Sequence, residues 1–320
     1  MMNYFITGGA GFVGSHFVDR LLAKKKRVIV YDNLILGKRE YFQQHLKNKN
    51  FKFIKGDILD FRKLKKAMKS IDVVVHLAAN SDITKSSLNT DLDLKNGTIG
   101  TYNVLESMRR NKIKKIIFTS SNVVYGEVKK LPIKENSGPL FPISLYGASK
   151  LASEALISAY CHNFNFQSWI FRFANVVGAR ATHGVVLDFF NKLKKNKKQL
   201  LVLGDGNQQK PYILVDDIIS GIFFAFKHAK KQVNYFNLGT TGFTKVKKIA
   251  REVLKYLGLK KVNIIYTGGK RGWPGDVAKV KLDNSKIKKL GYKFHKSNSD
   301  EAFISGLKDS LAWLNKYSQK

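Results

Sequence analysis

The sequence predicts an α/β protein built on a doubly wound parallel sheet, followed by a smaller mixed α/β region. Three observations carry this expectation. Short β-rich runs alternate with amphipathic helical stretches through the first half of the 320-residue chain, the pattern that covers a parallel sheet with helices on both faces. The first run passes directly into a cluster of glycines and then into a helical pattern, a strand–turn–helix arrangement with mechanistic meaning. Hydrophobic residues make up 44% of the chain and aromatics 12%, enough for a large core and too much for a disordered chain.

Taken in order, buried strands are expected at residues 4–7, 27–32, 51–55, 72–77, 115–120 and 167–173, with helices at 12–24 and 91–110. Crossovers between parallel strands should be right-handed. The alternation weakens after about Val177. Beyond it, helices are expected at 187–195, 216–228, 246–257 and 300–315, and strands at 200–203, 235–238 and 262–265.

Lys and Arg number 57 against 23 Asp and Glu, a formal charge of +34. The lysines fall on nearly every expected surface segment, including 24–26, 63–66, 112–115, 194–198 and 286–289. Arg, the better bidentate phosphate ligand, supplies few of them. This spread reads as a solvated Lys-rich surface, not a nucleic-acid footprint, although the field still favours approach of an anionic substrate. Cys161 is the only cysteine, so no internal disulfide points to an oxidising compartment. The first strand begins at about Asn3, which leaves no room for a signal peptide. The most apolar stretch, 213–226, is interrupted by Asp216 and Asp217 and is no membrane span. A soluble, cytoplasmic protein with no membrane partner and no metal is expected.

The glycine cluster reads Gly8-Gly9-Ala10-Gly11-Phe12-Val13-Gly14. Glycines here permit a tight turn and let the backbone approach a pyrophosphate at the helix N-terminus. The second strand ends at Asp32, eighteen residues past Gly14. A carboxylate there accepts from both adenosine ribose hydroxyls and repels a 2′-phosphate, which selects NAD over NADP. The chain is accordingly divided into an NAD-binding Rossmann domain at 1–176, with 211–240 returning to it, and a second domain at 177–210 and 241–320.

Tyr146 and Lys150 stand four residues apart on one face of an expected helix. An ordinary tyrosine, with a pKa of about 10, is too weakly acidic to serve as a base at neutral pH. A nearby ammonium and a positive nicotinamide ring favour the phenolate. The strand at 115–120 runs into Ser120 and Ser121, at the carboxyl end where open α/β sheets hold ligands. A hydroxyl there can hydrogen-bond a reacting oxygen.

Together Thr7-Gly8 with Gly11 and Gly14, the Asp32 strand end, Asp57-Ile58, His76-Leu77-Ala78-Ala79, Ser121 ahead of Val124-Tyr125-Gly126, and Tyr146 with Lys150 resemble the extended short-chain dehydrogenases/reductases. Over the rest of the chain, 172–178, Gly204-Asp205-Gly206 through Lys210-Pro211-Tyr212, and Arg271-Gly272-Trp273-Pro274-Gly275-Asp276 resemble the nucleotide-sugar members, most closely the UDP-glucose 4-epimerase type. The resemblance implies NAD as cofactor, with Asp57 and Ile58 flanking the adenine. Leu77, Ala78 and Ala79 would line the NAD channel with Asn96. Gly8, Gly11, Phe12, Val13, Gly14, Asp32, Asn33, Ser120, Tyr146, Lys150 and Phe173 complete the implied cofactor set. It implies Ser121, Tyr146 and Lys150 as the catalytic group. Asn175, Lys210, Tyr212, Arg271 and Asp276 would hold the substrate nucleotide beside Ser121. Lys210 departs from the Arg common in the epimerases, and Gly272 and Trp273 are extra.

Read this way, Tyr146 as phenolate removes a proton from a sugar 4-hydroxyl while Ser121 hydrogen-bonds the same oxygen. The expected reaction is 4-epimerisation of UDP-glucose/UDP-galactose or UDP-GlcNAc/UDP-GalNAc through a 4-keto sugar. A 4,6-dehydratase is the competing reading. Its relatives carry adjacent Asp and Glu after the catalytic hydroxyl, where this chain has Asn122 and Val123. Small Val280, the apparent match to a size-limiting residue, suggests that N-acetylhexosamines are accepted. A non-enzymatic NAD sensor or RNA-associated protein is the third reading, against which the complete Ser121, Tyr146 and Lys150 set stands. In relatives, helices equivalent to 91–110 and 144–164 form a dimer interface, which implies a homodimer.

Overall fold

The computed structural model describes residues 2–80, 86, 88–273 and 275–317; Pro274 of the 271–276 motif lies outside them. Strands β1 (Asn3–Thr7), β2 (Arg27–Asp32), β3 (Phe51–Lys55), β4 (Val73–His76), β5 (Lys115–Ser121) and β6 (Gln167–Phe173) form one parallel sheet. A seventh strand, Val233–Leu238, pairs parallel with the β6 edge. The order Val233–Leu238, β6, β5, β4, β1, β2, β3 is Rossmann-type. The chain winds outward from β1 to β3, then returns to place β4 on the other side of β1. That reversal opens a crevice at the carboxyl ends of β1 and β4, where such sheets bind ligands.

The two-residue strand period explains the layering. Tyr4, Ile6, Val73 and Val75 point into one buried cluster, with Phe17, Val18, Trp169 and Phe171. Phe5 and Val74 point into the opposite one, with Leu64, Val104, Phe118 and Ile157. Both faces of the sheet are therefore covered, as near-continuous apolar strands require. A third cluster joins the helices Val185–Lys195, Val246–Tyr256 and Ser299–Tyr317 to the strand Gln199–Val202, which pairs parallel with Asn263–Tyr266. No helix among the described residues is long and apolar enough to cross a membrane.

One expected helix is not uniform. Residues 91–110 form an α-helical turn at Asp91–Asp93, a π-helical segment at Leu94–Ile99 and an α-helix at Gly100–Arg110. The widened segment brings two glycines against two different neighbours. A Cβ on Gly97 would lie 2.5 Å from Ser149 Oγ, and one on Gly100 would lie 2.4 Å from Ile58 Cδ1. Such π-turns are frequent at functional sites. The helix Leu145–Phe164 starts where Ser144 Oγ accepts from Gly147 N at 3.1 Å, a normal N-cap. The helix Phe61–Ala67 was not expected; Asp60 caps it by accepting from Lys63 N.

Two buried polar knots hold the carboxyl end of the sheet. Arg172 donates to Glu154 at 2.6 Å and to the Glu135 carbonyl at 3.0 Å. Fully buried His76 meets Thr7 Oγ1 at 2.7 Å through Nδ1 and Thr101 Oγ1 at 3.0 Å through Nε2. Burial, and to a lesser degree the Lys150 charge, pull its pKa from 6.5 down to about 3. The folded chain thus keeps this ring neutral at pH values where the unfolded chain protonates it. This contribution to stability is present above 6.5 and is lost as pH falls from there toward 3. Urea unfolding of the wild type should weaken across that window by up to about 1.4 kcal/mol per pH unit from this ring. His76→Gln should be less stable at neutral pH, with a shallower acid dependence.

Candidate active site

The glycine turn is shaped by close approach. Gly8 has φ +71°, and a Cβ there would sit 2.7 Å from Ala78 N. Gly8 O accepts from Gly11 N at 3.1 Å, and a Cβ on Gly14 would lie 2.2 Å from that same oxygen. The turn is thereby pressed against the chain leaving β4, where Leu77, Ala78 and Ala79 are half-buried. Phe12 is buried in the core, and Val13 packs against it.

Asp32 anchors the turn from the next strand. Its Oδ2 accepts from Ala10 N at 3.0 Å and its Oδ1 from Leu34 N at 2.8 Å. Burial raises its pKa, and these two bonds act against that rise. An ionised carboxylate has about four acceptor sites, so both ribose hydroxyls can still be accommodated. Asn33 Nδ2 donates to Asp57 Oδ2 at 3.0 Å, which joins two of the expected cofactor residues. Ile58 is buried and belongs to the sheet's second core cluster. Asn96, in the π-helical segment, donates its amide to the Leu92 carbonyl.

Across the crevice, β5 ends in Ser120 and Ser121. Ser120 is buried, and its Oγ has no hydrogen-bond partner among the described residues. Ser121 is half-buried and caps the short turn Asn122–Tyr125. Lys150 is only 3% exposed. Its Nζ donates to the Thr119 carbonyl at 2.8 Å and stands 4.8 Å from the Phe118 ring centre and 5.7 Å from that of Tyr146. Phe173 is buried, and its carbonyl accepts from Asn122 Nδ2 at 2.7 Å.

The electrostatics correct one expectation. The Tyr146 phenol is raised above its ordinary value, first by burial and then by Asp93. The two positive charges expected to lower it are Lys150 and the nicotinamide ring; burial and Asp93 set its direction here. Burial also pulls the Lys150 ammonium down to about 8, while Asp93 and Glu154 oppose that fall.

The second group of expected residues is also brought together, with different partners. Lys210 donates to Asp276 Oδ1 and to the Val277 carbonyl, so the two residues expected to face a nucleotide pair with each other. Asp276 Oδ2 accepts from Gly272 N at 3.1 Å, closing the 271–276 segment into a loop. Tyr212 is buried edge-on against Phe303, which leaves its ring no open face for stacking. Its hydroxyl is raised by burial, against a hydrogen bond with Asn175. Arg271 lies at the exposed rim and donates to Glu127 at 2.6 Å. A Cβ on Gly275 would lie 3.0 Å from Ile143 O, so this loop rests on the approach to the Tyr146 helix. Val280 lies within the main core cluster.

Sequence reasoning missed Asp93, buried beside the Tyr146–Lys150 pair, and the Thr119 carbonyl that receives the ammonium. An acid on the inner side of an otherwise amphipathic stretch was the available signal for the first. A backbone acceptor leaves no sequence signal.

A glycine cradle that a single Cβ would fill, an acid at the end of β2 and an unpartnered buried hydroxyl at the end of β5 suit a dinucleotide lying across the crevice. Fold and site together define a Rossmann-type enzyme that works on a nucleotide-linked substrate. Residues 4–239 match the NAD dependent epimerase/dehydratase family, and the chain belongs to it. It is 34% identical over 294 residues to a putative UDP-glucose 4-epimerase of Methanocaldococcus jannaschii, covering 90% of this chain and 92% of that one. The Thermotoga maritima UDP-glucose 4-epimerase, solved with UDP-glucose, superposes with a TM-score of 0.87 at 31% identity over 100% of both chains. The Bacillus cereus UDP-glucuronic acid 4-epimerase, solved with UDP-glucuronic acid and NAD, gives 0.88 at 29% identity over 98% of this chain and 99% of that one. Relatives also include UDP-glucuronic acid decarboxylases and a dTDP-D-glucose 4,6-dehydratase. The cofactor is NAD, and the chain is a nucleotide-sugar enzyme of this family.

Because a Cβ at position 14 collides with backbone, Gly14→Ala must displace the glycine turn. NAD binding by the purified protein should weaken at least tenfold, about 1.4 kcal/mol, in a calorimetric titration. Wild-type affinity in that variant would refute the cradle.

Proposed function

We propose that this chain catalyses NAD-dependent 4-epimerisation of a UDP-hexose through a transient 4-keto sugar. The observation that supports the proposal most directly is Lys150 Nζ on the Thr119 carbonyl, 5.7 Å from the Tyr146 ring centre, on the strand that ends in Ser121, with no proton-transferring side chain at Asn122 or Val123. Tyr146 receives the proton of the sugar 4-hydroxyl and returns it at the end of the cycle. Ser121 hydrogen-bonds that oxygen, and Lys150 holds the nicotinamide ribose and draws the phenol toward ionisation. NAD supplies the acceptor and later the donor of the C4 hydride. The turn at Gly8, Gly11 and Gly14, with Asp32, Asn33 and Asp57, holds its adenosine and pyrophosphate portion. Residues 1–176 and 211–240 serve as the NAD domain, and 177–210 with 241–320 as the substrate domain.

The nucleotide is held by Asn175 and Arg271, with Lys210 fixing the Asp276 carboxylate, while buried Tyr212 shapes the floor beneath them. Arg271 and Glu127 are each about half exposed. Such a pair contributes no more than about 1 kcal/mol, so Arg271 exchanges Glu127 for a diphosphate at little cost. Exposed Ile99 at the end of the π-helical segment, Tyr102 on the helix Gly100–Arg110, and Leu145 and Phe164 on the helix Leu145–Phe164 support a homodimer through these elements. The dehydratase reading is disfavoured, because Asn122 donates its amide to the Phe173 carbonyl and cannot act as an acid.

NMR of the sugar nucleotides should show UDP-glucose converting to UDP-galactose, and UDP-GlcNAc to UDP-GalNAc. Accumulation of a 4-keto-6-deoxy sugar would overturn the epimerase reading. Tyr146→Phe should lower kcat by about 10²–10⁴-fold with no change in unfolding midpoint.

A further inference from the structure

Asp93 is the most deeply buried carboxylate near the candidate site, at 1% exposure. Its Oδ1 accepts from Asn80 Nδ2 at 3.1 Å. Its Oδ2 is buried with no hydrogen-bond partner among the described residues. An ionised carboxylate so placed requires a compensating positive charge close by.

The helix register places Asp93 alongside the helix that carries Lys150. The π-helical segment and the helix after it run alongside the Tyr146 helix in step. Gly97 sits on Ser149, its carbonyl accepts from Ser153 Oγ at 3.3 Å, and Thr101 Oγ1 meets Ser153 Oγ at 3.0 Å. Four residues forward on one helix match four forward on the other. One turn back from Gly97 is Asp93, which that register sets against the first turn of the Tyr146 helix. The direct packing of Asp91–Asp93 on that helix agrees.

The groups around Lys150 decide which carboxylate matters. Its own helix presents Tyr146 and Glu154, β4 presents neutral His76, and the π-helix side presents Asp93. β5 presents only the Phe118 ring and the Thr119 carbonyl. Glu154 is already neutralised, because Arg172 donates to both of its oxygens. Among the described residues, Asp93 accepts only from the Asn80 amide.

We propose that Asp93 is a positioning residue of the site: its buried carboxylate is the counter-charge to the Lys150 ammonium, which in turn acts on the Tyr146 phenol. The carboxylate opposes the loss of the Lys150 proton that burial favours. It also resists ionisation of the phenol, so the Tyr146 proton is held until further positive charge enters the site. The inference rests on the reading of Tyr146 and Lys150 as an acid–base pair.

The test follows the Lys150 proton directly, without cofactor or sugar. The full chain is labelled with carbon-13 at lysine Cε, and the Lys150 resonance is assigned by its absence in Lys150→Arg. The wild-type midpoint is expected at about 8. Asp93→Asn should lower it by about one to three units, the range typical of a close opposite charge. Asp93→Ser provides a second neutral side chain with the same expectation, and Asp93→Glu should restore the midpoint to near the wild-type value. Coincident midpoints in the wild type and the neutral variants would overturn the proposal. With a UDP-hexose and NAD, the alkaline limb of the Asp93→Asn rate profile should move to lower pH by the same amount. A displaced midpoint in a protein that turns over no sugar nucleotide would refute the proposed reaction and leave the counter-charge standing.

Discussion

An ammonium group buried to 3% exposure is the constraint around which this crevice is arranged. A charge removed from water must be met by polar or charged groups at close range. Lys150 finds a carbonyl on β5, an aromatic face on the same strand and the influence of a carboxylate in the turn that precedes the π-helical segment. Satisfying that one charge brings three separately folded pieces into register. The strand end that carries Ser120 and Ser121, the helix that carries Tyr146, and the turn that carries Asp93 are placed relative to one another by the same nitrogen.

The opposite wall of the crevice is set by the absence of side chains. Gly8 and Gly14 let backbone approach backbone at distances that no Cβ permits. Asp32 then fastens the turn to β2 through Ala10 N. His76 couples the two walls, since it touches Thr7 on β1 and Thr101 on the helix that follows the π-segment. Its neutrality spares the Lys150 charge a second positive neighbour. The Arg172–Glu154 pair acts similarly, because Arg172 offsets Glu154 and Asp93 is the larger of the two acidic influences on Lys150.

The sheet was legible because its signals are local. Alternating short apolar runs, the glycine turn and Asp32 each act within a few residues, and all six expected strands of the first half appear within two residues of their expected ends. Ser121, Tyr146 and Lys150 were legible for the same reason, as residue types at a strand end and at helical spacing. The region 91–110 was less so. A π-turn has no distinct apolar period, and its cause is the fit of Gly97 and Gly100 against Ser149 and Ile58, residues far away in sequence. The residues expected to face a nucleotide formed a recognisable set of motifs, but their pairing with one another was not legible. Lys210 and Asp276 are 66 positions apart, and nothing in either segment indicates that one neutralises the other.

Residue chemistry and short-range periodicity, read from the sequence alone, determined the α/β class, the position of the glycine turn and the helical spacing of Tyr146 and Lys150. These depend on the order of neighbours along the chain, which the sequence contains in full. Only the tertiary structure decided which charges cancel. Arg172 is bound to Glu154, Lys210 to Asp276 and Arg271 to Glu127, while Asp93 keeps only the Asn80 amide among the described residues. The physical reason is that Coulomb and desolvation energies depend on distance and burial in space. Folding sets both by bringing together segments that the sequence keeps apart.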